Sequence, residues 1–316
     1  MIPQMDWIIA RRDIDLKIES YSGTGLSLPA WSDDGYYGGP AKFAYVYRVH
    51  TGLICFSILR FVQAVYANGI KEYFEKAKIY LAICQKALQI HNHDRDWADL
   101  GPGRGYYKGA PYGMGIIDVA GKVEMPNRVH AYIMACGLYD YIAETFIYRK
   151  RIEKCLRQFK TWLRYDPFFA AYYWSYWPSE YGEKGWEDIS HAQLTMSGLI
   201  YLHHNLGYRI YSLEDLLRLA NTAKKTINDI VYPPLVMDNL MGTYRPFDIK
   251  SPNNYAEAAG WAPLKVIDPT VLIKTQKVND VIYQKVIKKE LKLSPSYLRN
   301  FALNLPLNLA QYIKNS

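Results

Sequence analysis

The chain is poor in cysteine and has no long apolar run, and these two absences exclude several classes of protein. Its 316 residues include four cysteines, none of which forms a C-x-x-C pair. Each cysteine falls within an apolar helical pattern, so we expect buried free thiols rather than a disulfide framework. No segment approaches the roughly 20 apolar residues that a membrane-spanning helix needs. We expect no metal site and no cofactor.

Targeting and nucleic-acid motifs are also missing. The N-terminal segment has no basic region followed by an apolar stretch, which predicts a cytoplasmic chain unless a leader has been removed. The net charge is +8 and the pI is near 9.0, which favours an anionic partner. Without zinc-finger, basic-zipper or RNA-recognition patterns, that partner is not expected to be nucleic acid. The sequence leaves the oligomeric state open.

Aromatic residues are what the chain has in excess. It contains 29 Tyr and 8 Trp, while half of its residues are hydrophobic and 22% are charged. The overall balance is typical of a globular protein. Rings with a polar tip suit half-wet grooves and clefts, so these aromatics point to a binding surface as well as to a core.

Helical periodicity dominates the chain, and the helices come in pairs joined by short turns. Long stretches rich in Gly, Pro, Trp and Tyr separate the pairs, so these loops are expected at one face. This arrangement predicts an all-α fold, an incomplete (α/α) toroid of helical hairpins. We expect a single domain over 1–316, with a loop-rich arm (1–42) and C-terminal helices (267–316). The predicted helices span 44–66, 70–91, 127–146, 148–164, 189–206, 212–229, 253–266, 269–290 and 293–314.

Three of these helices begin with a repeated pattern. HTGLICFSIL, HAYIMACGLY and HAQLTMSGLI start at His50, His130 and His191, with aliphatic residues at the fourth and ninth places and Gly or Ser at the eighth. A fourth segment, YAEAAGWAPL, places Tyr255 where the others have histidine. Repeats of this kind indicate one supersecondary unit used several times. We therefore expect the three histidines to line one cleft, although a histidine in a first turn can also simply bond the backbone.

The stretch YYWSYWPSEYGEKGWEDISHA (172–192) combines a row of rings with two carboxylates and an imidazole. Sugar rings stack on aromatic faces, and carboxylates bind hydroxyls or act as acid and base. The alternative is that Asp188 or Ser190 caps the helix while Glu187 forms a surface ion pair. We assign the stretch to a sugar site. The candidate residues are Tyr173, Trp174, Trp177, Glu187, Asp188 and His191.

Two further segments supply groups that suit a bound carboxylate. EMPNRVHAY (124–132) places Asn127 and His130 on one helix face, with Arg128 beside them. FAYVYRVHTG (43–52) adds Tyr47, Arg48 and His50. An amide, a guanidinium and an imidazole can neutralise a carboxylate while a base removes the adjacent proton. The alternative is a plain helix start with Arg128 facing outwards.

The segments YRVHTG, MPNRVHA, YYWSYW and WEDISHAQL, in this order, resemble α/α-toroid proteins related to the catalytic region of D-glucuronyl C5-epimerases and, more distantly, to alginate-lyase-like polysaccharide lyases. The resemblance runs from about residue 43 to 265. It implies an incomplete (α/α) barrel that acts on a polysaccharide containing uronic acid. It also implies that Asn127 and His130 hold the carboxylate while a tyrosine or histidine transfers the proton.

Three functions follow from these observations. The first is a lyase or epimerase that abstracts the C5 proton of a uronate in a polysaccharide. The second is a glycoside hydrolase that pairs Asp188 with Asp33 or Glu187, and the third is a toroid that binds glycan, or has a structural role, without chemistry. Catalytic roles are assigned to His191, His130, Tyr173, Glu187 and Asp188. Substrate-binding roles are assigned to His50, Arg48, Asn127, Arg128, Trp174, Trp177, Tyr47 and Tyr255.

Overall fold

A computed structural model describes residues 2–19, 26–33, 44–109, 121–178, 185–248, 255, 257–288 and 290. The chain divides into two compact units. Unit 1 comprises Met1–Thr161 and His204–Ile210, and unit 2 comprises Trp162–His203 and Tyr211–Ser316. The expectation of one domain over the whole chain stays a prediction.

The fold class differs from the all-α prediction. Of the described residues, 59% are helical and 11% are in strands, which form three small antiparallel sheets. The fold is therefore mixed α and β, the all-α prediction is wrong, and the described residues do not show a toroid. The strands lie in or beside the aromatic stretches interpreted as long loops. Tyr, Trp and Val favour extended backbone, and the Gly and Pro residues between them supply the turns.

Unit 1 is built mainly from helices, with one two-stranded sheet. Strand β1 pairs antiparallel with β2, and Trp97 lies opposite Tyr107. Short 3₁₀ helices occupy Lys71–Tyr73 and Asp94–Asp96. The other elements of unit 1 are α1 (Ile2–Ile9), α2 (Asp13–Leu16), α3 (Arg48–Ala67), α4 (Phe74–Gln89), β1 (Trp97–Asp99), β2 (Gly105–Tyr107), α5 (Pro126–Ala143) and most of α6 (Arg149–Trp162).

Helices α3 and α5 pack together at a glycine. A Cβ atom on Gly52 would lie 2.6 Å from the backbone carbonyl of Ala131, closer than carbon atoms normally approach. The two backbones can therefore meet only because position 52 has no side chain. Helix α5 is buried almost throughout, which places it at the centre of the core of unit 1.

The four cysteines all belong to this core. Cys55, Cys84, Cys136 and Cys155 lie on α3, α4, α5 and α6 in turn, and each is a buried free thiol, as the sequence predicts. The Sγ atom of Cys84 lies 3.9 Å from the carbonyl oxygen of Cys55. Burial raises the pKa of Cys55 well above its ordinary value, so this thiol stays protonated and packs as a small apolar side chain.

Unit 2 alternates short sheets with helices. A 3₁₀ helix (Ala258–Val266) packs against α7, and a π-helical segment (Tyr201–Asn205) follows α7 across the boundary between the two units. The end of α6 also belongs to unit 2. The remaining elements are β3 (Arg164–Asp166), β4 (Ala171–Tyr173), α7 (Ile189–Ile200), α8 (Leu213–Thr226), β5 (Ile227–Asn228), β6 (Leu235–Met237), β7 (Tyr244–Arg245) and α9 (Pro269–Ile287).

Every predicted helix within the described residues has a helical counterpart. Ser212 caps α8 in a reciprocal capping box with Asp215, which confirms the predicted start of that helix. The predicted helix 253–266 is largely 3₁₀, and Pro263, which lacks an amide hydrogen, lies inside it. The last predicted helix, 293–314, lies outside the described residues.

Helix α3 is the one helix among the described residues that is long and apolar enough to cross a membrane. Its apolar side chains pack against α5 and α4, and Ile58, Leu59 and Val62 are fully buried. Packing inside unit 1 therefore accounts for these three apolar side chains.

The close approach at Gly52 generates the first prediction. Gly52→Ala should lower the free energy of unfolding by about 1–3 kcal/mol, because the new methyl group forces α3 away from α5. Ser57→Ala, at an exposed position of the same helix, should change it by less than about 0.5 kcal/mol. Urea denaturation of the three proteins measures both values. An unchanged or raised stability of Gly52→Ala would show that the helices do not meet at this position.

Candidate functional site

Asp188 stands at the start of α7 and uses both of its carboxylate oxygens. Oδ1 accepts a hydrogen bond from the backbone amide of His191 at 3.1 Å and another from the Ser190 hydroxyl at 2.6 Å. Asp188 is thus the N-cap of the helix, as the simpler interpretation of the sequence proposed. Oδ2 accepts a hydrogen bond from Nδ1 of the His191 ring. The same carboxylate therefore starts the helix and orients the imidazole.

The His191 ring is held on two sides and remains accessible. Its side chain is 31% exposed. The ring of Tyr176 lies against it, with centroids 5.1 Å apart. Because Nδ1 faces Asp188, Nε2 is the nitrogen that remains for a ligand. A histidine whose Nδ1 is fixed by a carboxylate presents Nε2 as a proton acceptor, the arrangement used in acid–base catalysis.

Glu187 differs sharply from its neighbour. Its side chain is fully buried, and Oε2 accepts a hydrogen bond from Nε1 of Trp174 at 3.0 Å. Its other oxygen, Oε1, has no hydrogen-bond partner. Burial raises the pKa of Glu187 well above its ordinary value, and repulsion by Asp188 adds to this effect. Burial therefore disfavours the charged form of this carboxyl group.

Asp188 shifts in the opposite direction. Burial alone would raise its pKa, but the hydrogen bonds from His191 and Ser190, with the charge of His191, outweigh burial and lower the pKa of Asp188 below its ordinary value. The pKa values of two consecutive carboxyl groups thus shift in opposite directions, up for Glu187 and down for Asp188. Opposed shifts of this kind mark acid–base sites in enzymes, although buried structural pairs also produce them.

The aromatic side chains of β4 and of the segment that follows it lie on two faces. Tyr172, Trp174 and Tyr176 occupy alternate positions, and their side chains contact Asp215, Glu187 and His191 respectively. Tyr173 packs instead on Trp186, with ring centroids 5.1 Å apart. Trp177 is half-buried against Tyr176 at 5.6 Å. The structure thus brings Tyr176, rather than the predicted Tyr173, to the histidine.

Tyr176 and Trp186 had no assigned role in the sequence prediction. Successive side chains of an extended segment point to opposite faces, and this alternation could have identified Tyr176. Trp174 and Tyr176 follow β4 at alternate positions, and their side chains contact Glu187 and His191 respectively. Reading the stretch as a loop concealed this alternation.

In unit 1, Arg48 forms a buried ion pair with Glu124. Its two terminal nitrogens donate to the carbonyl oxygen of Lys108 at 3.3 and 3.2 Å, and its guanidinium carbon lies 4.7 Å from the centroid of the Tyr107 ring. Arg48 is only 2% exposed. These contacts tie the start of α3 to the segment before α5. Glu124, which the sequence analysis did not single out, balances the charge of Arg48.

The groups predicted to hold a carboxylate are also buried in unit 1. Asn127, Arg128 and His130 lie in the first turns of α5, and the Arg128 guanidinium carbon lies 5.5 Å from the Tyr47 ring centroid. Nδ1 of His130 donates to the Pro126 carbonyl oxygen at 2.8 Å. Oδ1 of Asn127 and Nε2 of His130 are buried and have no hydrogen-bond partner. Two unsatisfied polar atoms so close in sequence are unusual in a core, which agrees with a role beyond packing.

The remaining candidates are placed as follows. Nδ1 of His50 lies 4.0 Å from a carboxylate oxygen of Asp33, and its ring lies 5.1 Å from that of Tyr47. In unit 2, Tyr255 is buried against Phe247, and its hydroxyl has no hydrogen-bond partner. The loop segments 34–43 and 110–120 lie outside the described residues.

The predicted site residues thus fall into two groups, one in each unit. Each group is well defined internally, and the expectation of one shared cleft stays a prediction. Among the described residues, no group of three or more His, Cys, Asp or Glu side chains could hold a metal ion. Unit 1 contains Tyr47, Arg48, His50, Asn127, Arg128 and His130. Unit 2 contains Tyr173, Trp174, Trp177, Glu187, Asp188, His191 and Tyr255.

Comparison with known proteins adds no family to this description. No protein-family model matches the chain, and neither a curated protein nor a solved structure is significantly similar to it. The resemblance to uronate epimerases and lyases therefore stays a prediction, and the function has to be argued from the site.

The two roles of Asp188 can be separated by substitution. Asp188→Ala should lower the free energy of unfolding by about 1–2 kcal/mol, because the first amides of α7 lose their cap. Asp188→Asn should lower the free energy of unfolding by a smaller amount, since asparagine caps helices about as well as aspartate. Urea denaturation measures the difference. Ser212→Ala, which uncaps α8, is the matched control for loss of a cap without a histidine partner. Equal losses in the alanine and asparagine variants would contradict a capping role for Asp188.

His130 should make the protein sensitive to acid. Burial lowers the pKa of His130 to about 4, against the hydrogen bond to Pro126. Between about pH 6.5 and 4 the unfolded chain therefore binds a proton that the folded chain does not, so stability is lost as pH falls through this window. With about 1.4 kcal/mol for each pKa unit, the loss reaches roughly 3 kcal/mol.

His130→Asn keeps a donor for the Pro126 carbonyl but cannot titrate. Its free energy of unfolding, measured with urea from about pH 4 to 7, should fall less steeply towards acid than that of the wild type. His91 is also buried, and its pKa is also lowered by burial, but it is present in both proteins and cancels in the comparison. Parallel curves would show that His130 is accessible to protons in the folded state.

Proposed function

We propose that this protein is a polysaccharide-active enzyme that removes the C5 proton of a uronate residue, by β-elimination or by epimerisation. The observation that carries the proposal is the Asp188–His191 pair, in which a half-exposed imidazole is oriented by the N-cap carboxylate of its own helix. His191 acts as the base through Nε2, and Asp188 fixes the tautomer by accepting the Nδ1 hydrogen.

The surroundings of His191 suit a sugar. Tyr176 lies against the imidazole, and Trp177, Tyr173 and Trp186 continue the aromatic surface. Half-buried rings offer flat apolar faces to the C–H groups of a pyranose. In this proposal Tyr176 takes the place of Tyr173 as the tyrosine nearest the proton transfer.

The chemistry also requires neutralisation of negative charge. Removing the C5 proton leaves an enolate-like carboxylate, and donors positioned in advance stabilise such a charge most effectively. The resemblance implies Asn127 and His130 for this role, but their unpartnered atoms, Oδ1 and the Nε2 of a neutral imidazole, are hydrogen-bond acceptors and cannot donate to the enolate. In elimination, the C4–oxygen bond breaks and the departing oxygen takes a proton. In epimerisation, a proton returns to C5 from the opposite face.

A glycoside hydrolase is the second candidate, and the opposed pKa shifts of Glu187 and Asp188 favour it. A neutral and an ionised carboxyl group are the acid and base that such an enzyme needs. However, Glu187 is fully buried, and both oxygens of Asp188 already accept hydrogen bonds. The half-exposed imidazole is therefore the better-placed catalytic group.

One assay separates these functions. The protein is incubated with a panel of acidic and neutral polysaccharides in deuterated water. β-Elimination yields an unsaturated uronate that absorbs in the ultraviolet, and epimerisation yields deuterium at C5 without chain cleavage. Hydrolysis yields new reducing ends with neither signal. Glycan binding without any of the three would support a protein that binds without chemistry.

His191→Ala should lower kcat on the responsive polymer by about 10²–10⁴-fold, the usual contribution of a general base. Its melting temperature should change little, because the Asp188 cap on the backbone amide of residue 191 does not need the ring. His204→Ala, the same exchange at an exposed histidine in the other unit, should retain full activity. Full activity of His191→Ala would remove the basis of the proposal.

A further inference from the structure

Two hairpin turns of unit 2 expose consecutive apolar residues. The turn between β3 and β4 comprises residues 167–170, with the sequence PFFA, and the turn between β5 and β6 contains residues 230–233, with the sequence IVYP. All eight residues are exposed. Phe168 and Ile230 are the most open, at 86% and 92%. We refer to these two segments as the apolar tips.

Runs of this kind are unusual at turns. Turns favour Gly, Asn, Asp, Ser and Pro, and four consecutive apolar residues that face water cost free energy unless they have a function. A single exposed apolar residue is ordinary, whereas a contiguous exposed group marks a surface that contacts a partner or a membrane. The apolar tips therefore call for a binding partner.

The first tip is attached to the C-terminal end of α8. Nδ2 of Asn221 donates a hydrogen bond to the carbonyl oxygen of Ala170 at 2.9 Å. Nζ of Lys225 donates to Oδ2 of Asp166 at 2.8 Å and lies 5.0 Å from the centroid of the Phe169 ring. These contacts hold the turn in place while its two phenylalanine rings, whose centroids are 4.7 Å apart, stay exposed.

The second tip lies near the same end of α8. Ile230 follows Lys225 by five residues, so their Cα atoms are at most roughly 18 Å apart. Nζ of Lys274 on α9 donates to Oδ1 of Asp229 at 2.7 Å, and Nζ of Lys277 donates to Oδ2 of the same carboxylate at 2.8 Å. One end of unit 2 therefore carries both tips.

The backbone of the tips is suited to an apolar environment. The amide of Phe168 donates to Oδ1 of Asp166 at 3.0 Å, and the amide of Ile230 donates to Oδ1 of Asn228 at 3.2 Å. Each tip also contains a proline, which has no amide hydrogen. An unpaired amide is costly in lipid, because no water is present to bond it. These features lower the free energy needed to move the tips out of water.

Lysines surround the base of the tips. Four lysines on α8 and α9 pair there with three carboxylates, so these ion pairs contain one more cation than anion. The whole chain has a net charge of +8, which also favours a negatively charged surface. The lysines are Lys224, Lys225, Lys274 and Lys277, and the carboxylates are those of Asp166, Asp229 and Asp268.

We propose that the apolar tips insert into the surface of a membrane that contains anionic lipids. The exposed side chains enter the boundary between headgroups and acyl chains, and the lysines at the base bind lipid phosphates. Specific protein interfaces bury on the order of 800 Å² on each side with close shape complementarity. Two narrow turns fit a deformable lipid surface better. The inference does not depend on the proposed reaction.

Vesicle flotation of the full chain tests the proposal. The vesicles contain phosphatidylcholine alone, or equimolar phosphatidylcholine and phosphatidylglycerol. We expect the chain to bind the anionic vesicles, to bind them more weakly as salt is added, and to bind the neutral vesicles much less. Absence of binding to both kinds would overturn the proposal, and equal binding to both would overturn the assignment to anionic lipid.

Substitutions in the tips locate the contact. Phe168→Ser and Ile230→Ser should each weaken binding to the anionic vesicles about tenfold, because each removes a large apolar side chain from the lipid. Leu213→Ser is the matched control, since Leu213 is exposed at the opposite end of α8, on the order of 20 Å from the end that carries the tips. It should leave binding within about twofold. Equal losses at all three positions would overturn the proposal.

The role of the lysines is tested separately. Lys277→Gln should weaken binding to the anionic vesicles about fivefold, the usual effect of one lysine near a charged membrane. Asp229 keeps its contact with Lys274 in this variant. Lys285→Gln, near the other end of α9, is the matched control and should have a smaller effect. Equal effects of the two substitutions would refute a specific role for the lysines at the tips.

Insertion can also be observed directly. The four native cysteines are buried, so an environment-sensitive fluorophore should react selectively with an added exposed cysteine. After labelling of Ile230→Cys, anionic vesicles should shift the emission to shorter wavelength, whereas labelled Leu213→Cys should show no shift. Unchanged emission from position 230, while the labelled chain floats with the vesicles, would overturn insertion of the tips.

A second copy of the chain is the alternative occupant of the tips. Sedimentation velocity without lipid should give the same mass for the wild type and for Phe168→Ser. A dimer that dissociates in Phe168→Ser, together with no binding to vesicles, would assign the tips to self-association and overturn the proposal.

Discussion

The candidate site depends on one carboxylate, that of Asp188. One oxygen satisfies the first amide groups of α7, and the other holds the imidazole of His191. Because one carboxylate bonds both the backbone amide and the ring of His191, capping α7 also orients this ring. Tyr176, in the segment that follows β4, lies against the ring. A local rule of helix formation thus positions a group that can transfer a proton, without a separate scaffold for it.

The two carboxyl groups before α7 show how burial determines chemistry. Glu187 is buried, and only one of its carboxylate oxygens accepts a hydrogen bond, from Trp174. Asp188 accepts several hydrogen bonds and is partly exposed. Desolvation dominates for Glu187, and hydrogen bonding prevails for Asp188, so adjacent residues of nearly equal intrinsic acidity separate in pKa. The buried one is poorly placed to reach a ligand, and this favours a histidine mechanism over one that uses two carboxylates.

The sequence predicted the helices well and the connections poorly. Helical periodicity survives because helices such as α6 and α8 bury one face, and the turns at Gly207 and Ser212 follow local rules. The strands escaped notice because each spans two or three residues, too few for alternation to be evident. The contact of Tyr176 with His191 was missed for the same reason, because the extended segment is too short for its alternation to be evident. Asp188 and His191 were found because a cap and a first-turn residue lie only three positions apart, whereas the Arg48–Glu124 pair depends on tertiary contact.

The repeat at the helix starts illustrates what sequence similarity leaves open. His130 and His191 occupy the same place in the repeated pattern, yet the first bonds a backbone carbonyl inside a core and the second bonds a carboxylate at a partly open surface. Burial keeps the imidazole of His130 neutral, against the effect of its hydrogen bond to the Pro126 carbonyl, so His130 has a fixed donor and a fixed acceptor. His191, by contrast, has a carboxylate partner and a partly exposed ring. The partner of the ring, rather than its place in the repeat, therefore determines how each histidine is held and how much of it remains accessible.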